Sequence, residues 1–273
     1  MRIAVGVVLY NPSYEELLNI NTYIDNVDHV LIYDNSDEKN IAEIKEVLTS
    51  NTFTYFYNGN NDGISKSFNR IFREAQSLKI DYILLLDQDS VIEDFNIDVI
   101  KKNLSKAKKS NYCLNVPFNK INEKGANNVI FAITSGMIIK TDFFLTIGGY
   151  DENLFIDGVD HDYCLRLLEV GESISLIKNV CLNQQLGGGK KNLFGVYEHT
   201  AIRNYYIFRN RLYLIKKHSH YYSKFKKIRS LYLSIFKQIL SIIFFEKNKL
   251  QKLKFISIAY KDFKNEKFGK FSW

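Results

Sequence analysis

Two groups of acidic residues have the composition and spacing to do chemistry. The first is Asp87-Gln88-Asp89, which closes the apolar run YILLLD. Carboxylates are hard oxygen donors suited to Mg²⁺ or Mn²⁺, and such an ion at a strand end can bridge two phosphates. The competing explanation is that these acids cap the next helix, which Asp89 or Ser90 would do equally well. The second group is Asp157, Asp160 and Asp162 in FIDGVDHDYCLRLLEVG (155–171), where a loop turns into a helix. A helix amino end favours negative charge, and a carboxylate facing a cleft there can act as a general base. Capping acids together with an Asp162–Arg166 pair at i,i+4 spacing would account for the same pattern without any chemistry.

The elements that must position these residues alternate between strand and helix. IAVGVVLY (3–10) is a continuous apolar run of the kind found in a strand covered on both faces, and HVLIYD (29–34), FTYFY (53–57) and DYILLLDQDS (81–90) read as further strands. Between them lie helix-spaced Leu17, Ile20, Ile24 and Val27, then a helix around Ile41–Leu48, then a helix with Ile64, Phe68, Ile71, Phe72 and Ala75 on one face. This alternation predicts an α/β fold with a mostly parallel sheet, whose ligands bind at the carboxyl ends of the strands. Polar clusters fall at four such ends: Tyr10-Asn11-Pro12, Asp34-Asn35-Ser36, Asn61-Asp62-Gly63 and Asp87-Gln88-Asp89. Four in register point to a nucleotide site. A dinucleotide-dependent oxidoreductase is disfavoured, because the turn after the first strand reads YNPSYEE and lacks the glycines that let backbone approach a pyrophosphate.

Composition narrows the class further. With 46% apolar and 14% aromatic residues the chain can bury a sizeable core, and two prolines and 14 glycines exclude collagen-like or linker-dominated architecture. Cys113, Cys164 and Cys181 are odd in number and widely spaced, which suits a reducing compartment better than a disulfide framework or a zinc site. The opening MRIAVGVVLYNP reads as a first strand, too short for a signal peptide, and no run of about 20 apolar residues predicts a transmembrane helix. The net charge of +7 is unevenly spread: from Arg203 onward 18 Lys and Arg face three acids, a net of +15, which leaves residues 1–202 at −8. That basic quarter is helical in pattern. Ile228, Leu231, Tyr232, Ile235, Phe236, Ile239, Ile242 and Ile243 follow i, i+3, i+4, i+7 spacing, and Leu250, Leu253, Ile256 and Tyr260 share a side of a second segment. Lys-rich amphipathic segments of this kind lie on anionic membranes. The alternative is packing on the rest of the chain or on another subunit as a homo-oligomer. Nucleic acid is not expected, because the cleft-bearing part is acidic and no nucleic-acid motif is present.

Taken in order, VVLYNP, DNS, NDGISKSFN, ILLLDQDS, SGMIIK, GGYDENLFIDGVDHDYCLRL and RNYYIFRNR resemble family-2 glycosyltransferases, most closely their bacterial rhamnosyltransferase-like branch, over roughly residues 3–215. The resemblance implies a GT-A fold, a Rossmann-like sheet flanked by helices, and an inverting displacement that moves a sugar from a nucleoside diphosphate (dTDP-L-rhamnose or a UDP-hexose) to a saccharide acceptor, lipid-linked in surface polysaccharide synthesis. It places Tyr10, Asn11, Pro12, Asp34, Asn61, Gly63, Lys66, Asp87, Gln88 and Asp89 on the donor side, with Asp89 the metal ligand and Asp87 nearer the ribose. Asp160 is the implied general base. Ser135, Gly136, Asp157, Asp162, Arg203 and Arg209 fall on the acceptor or pyrophosphate side. Two positions depart from the family pattern: Val159 replaces the first acid of a pair, and Gln184 stands where relatives have a metal-binding histidine, a part His199 is the candidate to take over. Other expectations stay open beside this one: a sugar nucleotidyltransferase, or a catalytically inactive relative that only binds. The expected organisation is a catalytic domain over 1–215, with a nucleotide half to about residue 90 and an acceptor half after it, and a basic helical tail over 216–273. The expected location is cytoplasmic, peripheral at the inner face of the membrane.

Overall fold

A computed structural model describes residues 1–272 apart from 51, 93–94, 108, 116–119, 122–127, 185–196 and 223–224. The chain forms two compact units, Met1–Asp151 with Val159–Gln185, and Glu152–Gly158 with Leu186–Trp273.

The first unit is built on a mixed sheet. Its strands are β1 (Ile3–Leu9), β2 (His29–Asp34), β3 (Phe53–Tyr57), β4 (Tyr82–Asp87), β5 (Ser90–Ile92), β6 (Asn111–Asn115), β7 (Lys120–Ile121), β8 (Asn128–Phe131), β9 (Met137–Lys140) and β10 (Ile174–Gln184). Among the described residues the order across the sheet is β3-β2-β1-β4-β9-β6-β10-β8-β7, with β5 paired separately to β10. β1 lies parallel to β2 on one side and to β4 on the other, while β9 runs antiparallel to both β4 and β6. All seven residues of β1 are buried, as its unbroken apolar sequence predicts for a strand covered on both faces.

Helices α1 (Tyr14–Asn19), α2 (Ile41–Val47), α3 (Gly63–Ser77), α4 (Ile97–Ala107), α5 (Thr141–Thr146) and α6 (Val159–Glu169) belong to this unit. The stretch expected to be helical through Val27 is shorter: α1 stops at Asn19 and two 3₁₀ turns, 20–22 and 24–26, carry the chain to β2. One cluster joins Val5, Val7, Ile32, Leu84 and Leu86 of the sheet to Leu17, Ile44, Ile100 and Leu104 of α1, α2 and α4. On α3, Phe72 stacks on Phe144 of α5 with ring centroids 3.7 Å apart. The Gly-Gly-Tyr segment after α5 is clamped from two directions. Asn69 of α3 donates to the Tyr150 carbonyl at 2.9 Å and accepts the Tyr150 amide at 2.8 Å. Arg166 of α6 donates to the carbonyls of Ile147 and Gly149 while its Nε holds the fully buried Asp162 at 2.9 Å. Asp162 and Arg166 therefore secure a turn, the arrangement expected of an i,i+4 pair.

The second unit contains α7 (Ala201–Lys217), α8 (Ser219–Tyr222), α9 (Phe225–Phe245) and α10 (Lys249–Lys264). Its core joins Tyr205, Tyr206 and Phe208 of α7 to Ile235 and Ile242 of α9 and Phe255, Ile256 and Ala259 of α10. A division at 215/216 was expected from the end of the recognisable motifs. In the structure α7 instead packs with the helices that follow it, because its aromatic residues belong to their core. The apolar side assigned to α10 also shifts: Ile256 is buried, but Leu250 and Tyr260 are 86% and 50% exposed. Lys252 is buried in their place, bonded at 2.9 Å to both Glu246 and Glu198.

Gly149 has φ +67°, and a Cβ there would lie 2.6 Å from the Asn69 side-chain oxygen and 3.2 Å from Phe144. Gly149→Ala should therefore destabilise the first unit by about 1–3 kcal/mol, the usual cost of forcing a side chain into such backbone, read as a lower urea midpoint with unchanged slope.

Candidate active site

The order of strands reverses between β1 and β4. In an open α/β sheet this is the point where loops at the carboxyl ends diverge and leave a crevice for a ligand. The loops meeting there are Tyr10-Asn11-Pro12 after β1 and Gln88-Asp89 after β4, and one side chain joins them. Gln88 accepts the Tyr10 amide at 2.8 Å, donates to Glu16 at 2.9 Å, and has its own carbonyl held by Asn19 at 3.1 Å. Glu16, at the third helical position, forms a capping box with Ser13, so Gln88 ties the crevice to the first turn of α1. Burial pushes the Glu16 carboxyl up, but hydrogen bonds from Ser13 and Gln88 outweigh it and hold the group below its ordinary value. On the other flank Asn11 takes up left-handed backbone with φ 44°; its amide donates to Ser36 at 2.7 Å and its side chain exchanges hydrogen bonds with Asp37. The loops after β1, β2 and β4 form one connected rim.

Within that rim the sequence candidates divide into framework and exposed groups. Asp34 is fully buried. Its carboxylate accepts from the Ser36 amide, the Asn40 amide and side chain, and the Tyr55 hydroxyl, at 2.5–3.1 Å. It orders the loop after β2. Burial, with the Asp34 carboxylate beside it, pushes the Tyr55 phenol well up, so that proton stays on Tyr55 as the donor. Ser135 is buried too, bonded to the Ser90 hydroxyl at 2.8 Å and accepting the Asp87 amide at 3.3 Å, while the Gly136 amide donates to Leu85. These two residues shape the end of β4 from behind. At the start of α3, Asn35 accepts the Asp62 amide and donates to Ser67, and Asn61 accepts the Gly63 amide. Lys66 pairs with Asp62 at 2.8 Å and lines a cleft of about 420 Å³ on the β3 edge with Tyr33, Phe56, Arg70 and Arg73.

Asp87 and Asp89 are half-buried at the crevice, and Tyr10 is 49% exposed there. Among the described residues no group of three or more His, Cys, Asp or Glu could enclose a metal ion. Two carboxylates at a strand end nevertheless fit Mg²⁺ or Mn²⁺, which is commonly held by one or two carboxylates with substrate phosphates completing the set. The backbone of Gln184 in β10 pairs with Ser90, which places this departure from the family pattern beside Asp89. Asp160 opens α6 with 22% of its side chain exposed. Its Oδ1 accepts the His161 amide at 2.8 Å and lies 3.3 Å from His161 Nδ1, and no hydrogen bond from a described residue reaches Oδ2. Val159 is buried at 4%, so its position serves packing.

The remaining candidates lie in the second unit. Arg203 is half-exposed and reaches Asp157 at 3.3 Å. Arg209 is buried at 1%, held by Tyr205, Asn210, Asn153 and Gly269 and enclosed by aromatic rings; it supports that unit's core. Burial, then the nearby Arg203, holds His199 below its ordinary pKa, in the neutral form. The buried cysteines take no part: burial pushes the Cys113 and Cys164 thiols up to about 12, leaving no thiolate near neutral pH.

A family model described as Glycosyl transferase family 2 matches residues 11–164, more than half of the chain. The chain belongs to this family. It is a glycosyltransferase with a GT-A fold. It is 28% identical to the dTDP-rhamnosyl transferase RfbF of Shigella flexneri, over 91% of this chain and 90% of that protein. Among solved structures it is similar to S. aureus TarS 1–349 in complex with UDP-GlcNAc, at TM-score 0.56 and 12% identity, covering 97% of this chain and 73% of that one. GalNAc-T7 with UDP, GalNAc and Mn²⁺ matches with TM-score 0.55 and 13% identity over 77% of this chain, which spans 47% of its length. The chain likewise spans 43% of a longer TarS chain.

Spacing alone did not single out the clasp formed by Gln88 with Asn19 and Glu16, because its members lie about 70 residues apart. Asp34→Ala should unfold at lower denaturant, losing about 2–4 kcal/mol, since each orphaned buried donor costs on the order of 1–3 kcal/mol. Unchanged stability with weakened nucleotide binding would show that Asp34 acts on the ligand instead.

Proposed function

We propose that the protein is an inverting glycosyltransferase that transfers a sugar from a nucleoside diphosphate donor, dTDP-L-rhamnose or a UDP-hexose, to a lipid-linked saccharide in bacterial surface polysaccharide synthesis. The observation that carries this reading is the crevice at the β1–β4 reversal, where a rim locked by Gln88 presents Asp87, Asp89 and Tyr10. Similarity to RfbF along nearly the whole chain supports a rhamnosyl donor. TarS and GalNAc-T7, whose structures hold UDP-GlcNAc or UDP with GalNAc, support a nucleotide at a GT-A crevice of this kind.

In this reading the exposed Tyr10 ring and the rim around it receive the nucleotide. Asp89, with Asp87 toward the ribose, would hold a divalent cation against the diphosphate; when bound, the cation supplies charge neutralisation to the leaving group. The acceptor hydroxyl is a poor nucleophile near its normal pKa and needs a base as attack proceeds. Asp160 fits that part: its Oδ1 is fixed by the His161 amide, which leaves Oδ2 to take the proton. Attack opposite the departing diphosphate inverts the anomeric carbon. Arg203, beside Asp157, is the proposed partner for the pyrophosphate or acceptor. The basic helices bring the enzyme to the anionic inner leaflet where a lipid-linked acceptor resides, giving a cytoplasmic, peripheral location.

Two substitutions test the assignment. Asp160→Asn should keep donor affinity and lose roughly 10²–10⁴-fold in turnover, the usual contribution of a positioned general base; retention of more than about a tenth of the wild-type rate removes Asp160 from that role. Asp89→Ala should weaken donor binding in calorimetry and abolish stimulation by Mn²⁺. Full wild-type activity in excess chelator would overturn the metal part of the proposal and leave Asp160 untouched.

A further inference from the structure

Helix α9 is apolar on two opposite sides, and among the described residues only one of them is covered. Ile235 and Ile242 are buried in the core of the second unit, joined by Gln238 and Ser241. Opposite them, Tyr232, Leu233, Phe236, Ile243 and Phe244 are 39–63% exposed. At 100° per residue these five fall within an arc of about 120°, the width of a full packing face on an ordinary surface helix. An exposed apolar patch of this kind marks an interaction site. Spacing grouped Tyr232, Phe236 and Ile243 of this face with the isoleucine ridge 235/239/242, but the ridge packs inward and those three do not.

Charge selects what covers this face. The sequence FKKIRSLYLSIFKQILSIIFF of α9 carries four cations and no acid, and the exposed Arg229 and Lys237 stand within and beside the apolar arc. The chain from Arg203 onward is net +15. A second copy meeting this face about a twofold axis would set the same cations against each other, whereas an anionic lipid surface pairs with them and accepts the apolar side chains between. No helix among the described residues is long and apolar enough to cross a membrane.

From these observations we infer that the Tyr232–Phe236–Phe244 face of α9 inserts into an anionic lipid surface, with α9 lying in the interfacial plane. This rests on the proposal above that the basic helices meet a membrane, and it names the side chains that enter. The exposed aromatics contribute apolar burial that salt does not screen, and Arg229 and Lys237 contribute attraction that it does.

The test uses the full chain with phosphatidylglycerol and phosphatidylcholine vesicles at low and high salt. Wild type should sediment with phosphatidylglycerol vesicles and keep part of that binding at high salt. Phe236→Glu with Phe244→Glu should reduce partitioning by about tenfold or more and remove the salt-resistant share, with the thermal midpoint unchanged because both side chains already face solvent. As a check independent of that variant's folding, Phe236→Trp should be quenched by brominated acyl chains and Ile235→Trp should not. Wild type that fails to sediment with anionic vesicles overturns the membrane reading as a whole. Normal sedimentation of the double variant, or an unquenched Phe236→Trp on bound protein, overturns the assigned face and leaves a purely electrostatic attachment. A dimer that the double substitution converts to monomer without change in vesicle binding assigns the face to self-association instead.

Discussion

The reversal of strand order between β1 and β4 is the constraint on which the first unit depends. Both strands are buried along nearly their whole length, and an unpaired polar group inside such a sheet would cost several kcal/mol. Polar chemistry is therefore displaced to the carboxyl ends, where the chain leaves the sheet. The loops there must be held without the sheet's own ladder, and Gln88 does this with one amide that both accepts from the β1 loop and donates to α1. An amide suits that double part, because a carboxylate could only accept.

The polar residues of the protein separate by whether their hydrogen-bonding capacity is used internally. Asp34, Asp162, Ser135 and Arg209 are each almost inaccessible and bonded to backbone or buried side chains. Asp34, Asp162 and Ser135 build loops and turns of the first unit, and Arg209 supports the core of the second. Asp160 differs in kind: one oxygen is fixed by a helix amide and part of the side chain meets solvent. That is the condition a proton acceptor needs, since it must hold its geometry and still have a lone pair to offer.

In the second unit the same division operates on charge. Lys252 is neutralised by the buried Glu246 and the exposed Glu198, and burial pushes its ammonium down while those two carboxylates more than offset the effect and raise it. Arg209 is enclosed by Tyr205, Tyr206 and Phe268. Most other cations of this region remain at the surface, where they leave a strongly positive exterior around an apolar strip that the described residues do not cover.

The sequence by itself determined the α/β alternation, the burial of β1 and β4, and the family to which the chain belongs, because each is written locally: an apolar run, a helical period, or a motif a few residues long. It also put Asp87, Asp89 and Asp160 at element ends, where chain direction alone exposes them. Tertiary structure decided which polar residues remain available. The family resemblance places Asp34 and Arg209 at the site, and their burial rests on residues far along the chain, Tyr55 for one and Asn153 and Gly269 for the other. The same holds for α9, whose period is legible but whose two apolar sides read alike until α7 and α10 pack against one of them. Spacing gives a side chain's direction about its own axis. Only the neighbours brought up by folding decide whether that direction leads inward or out to solvent.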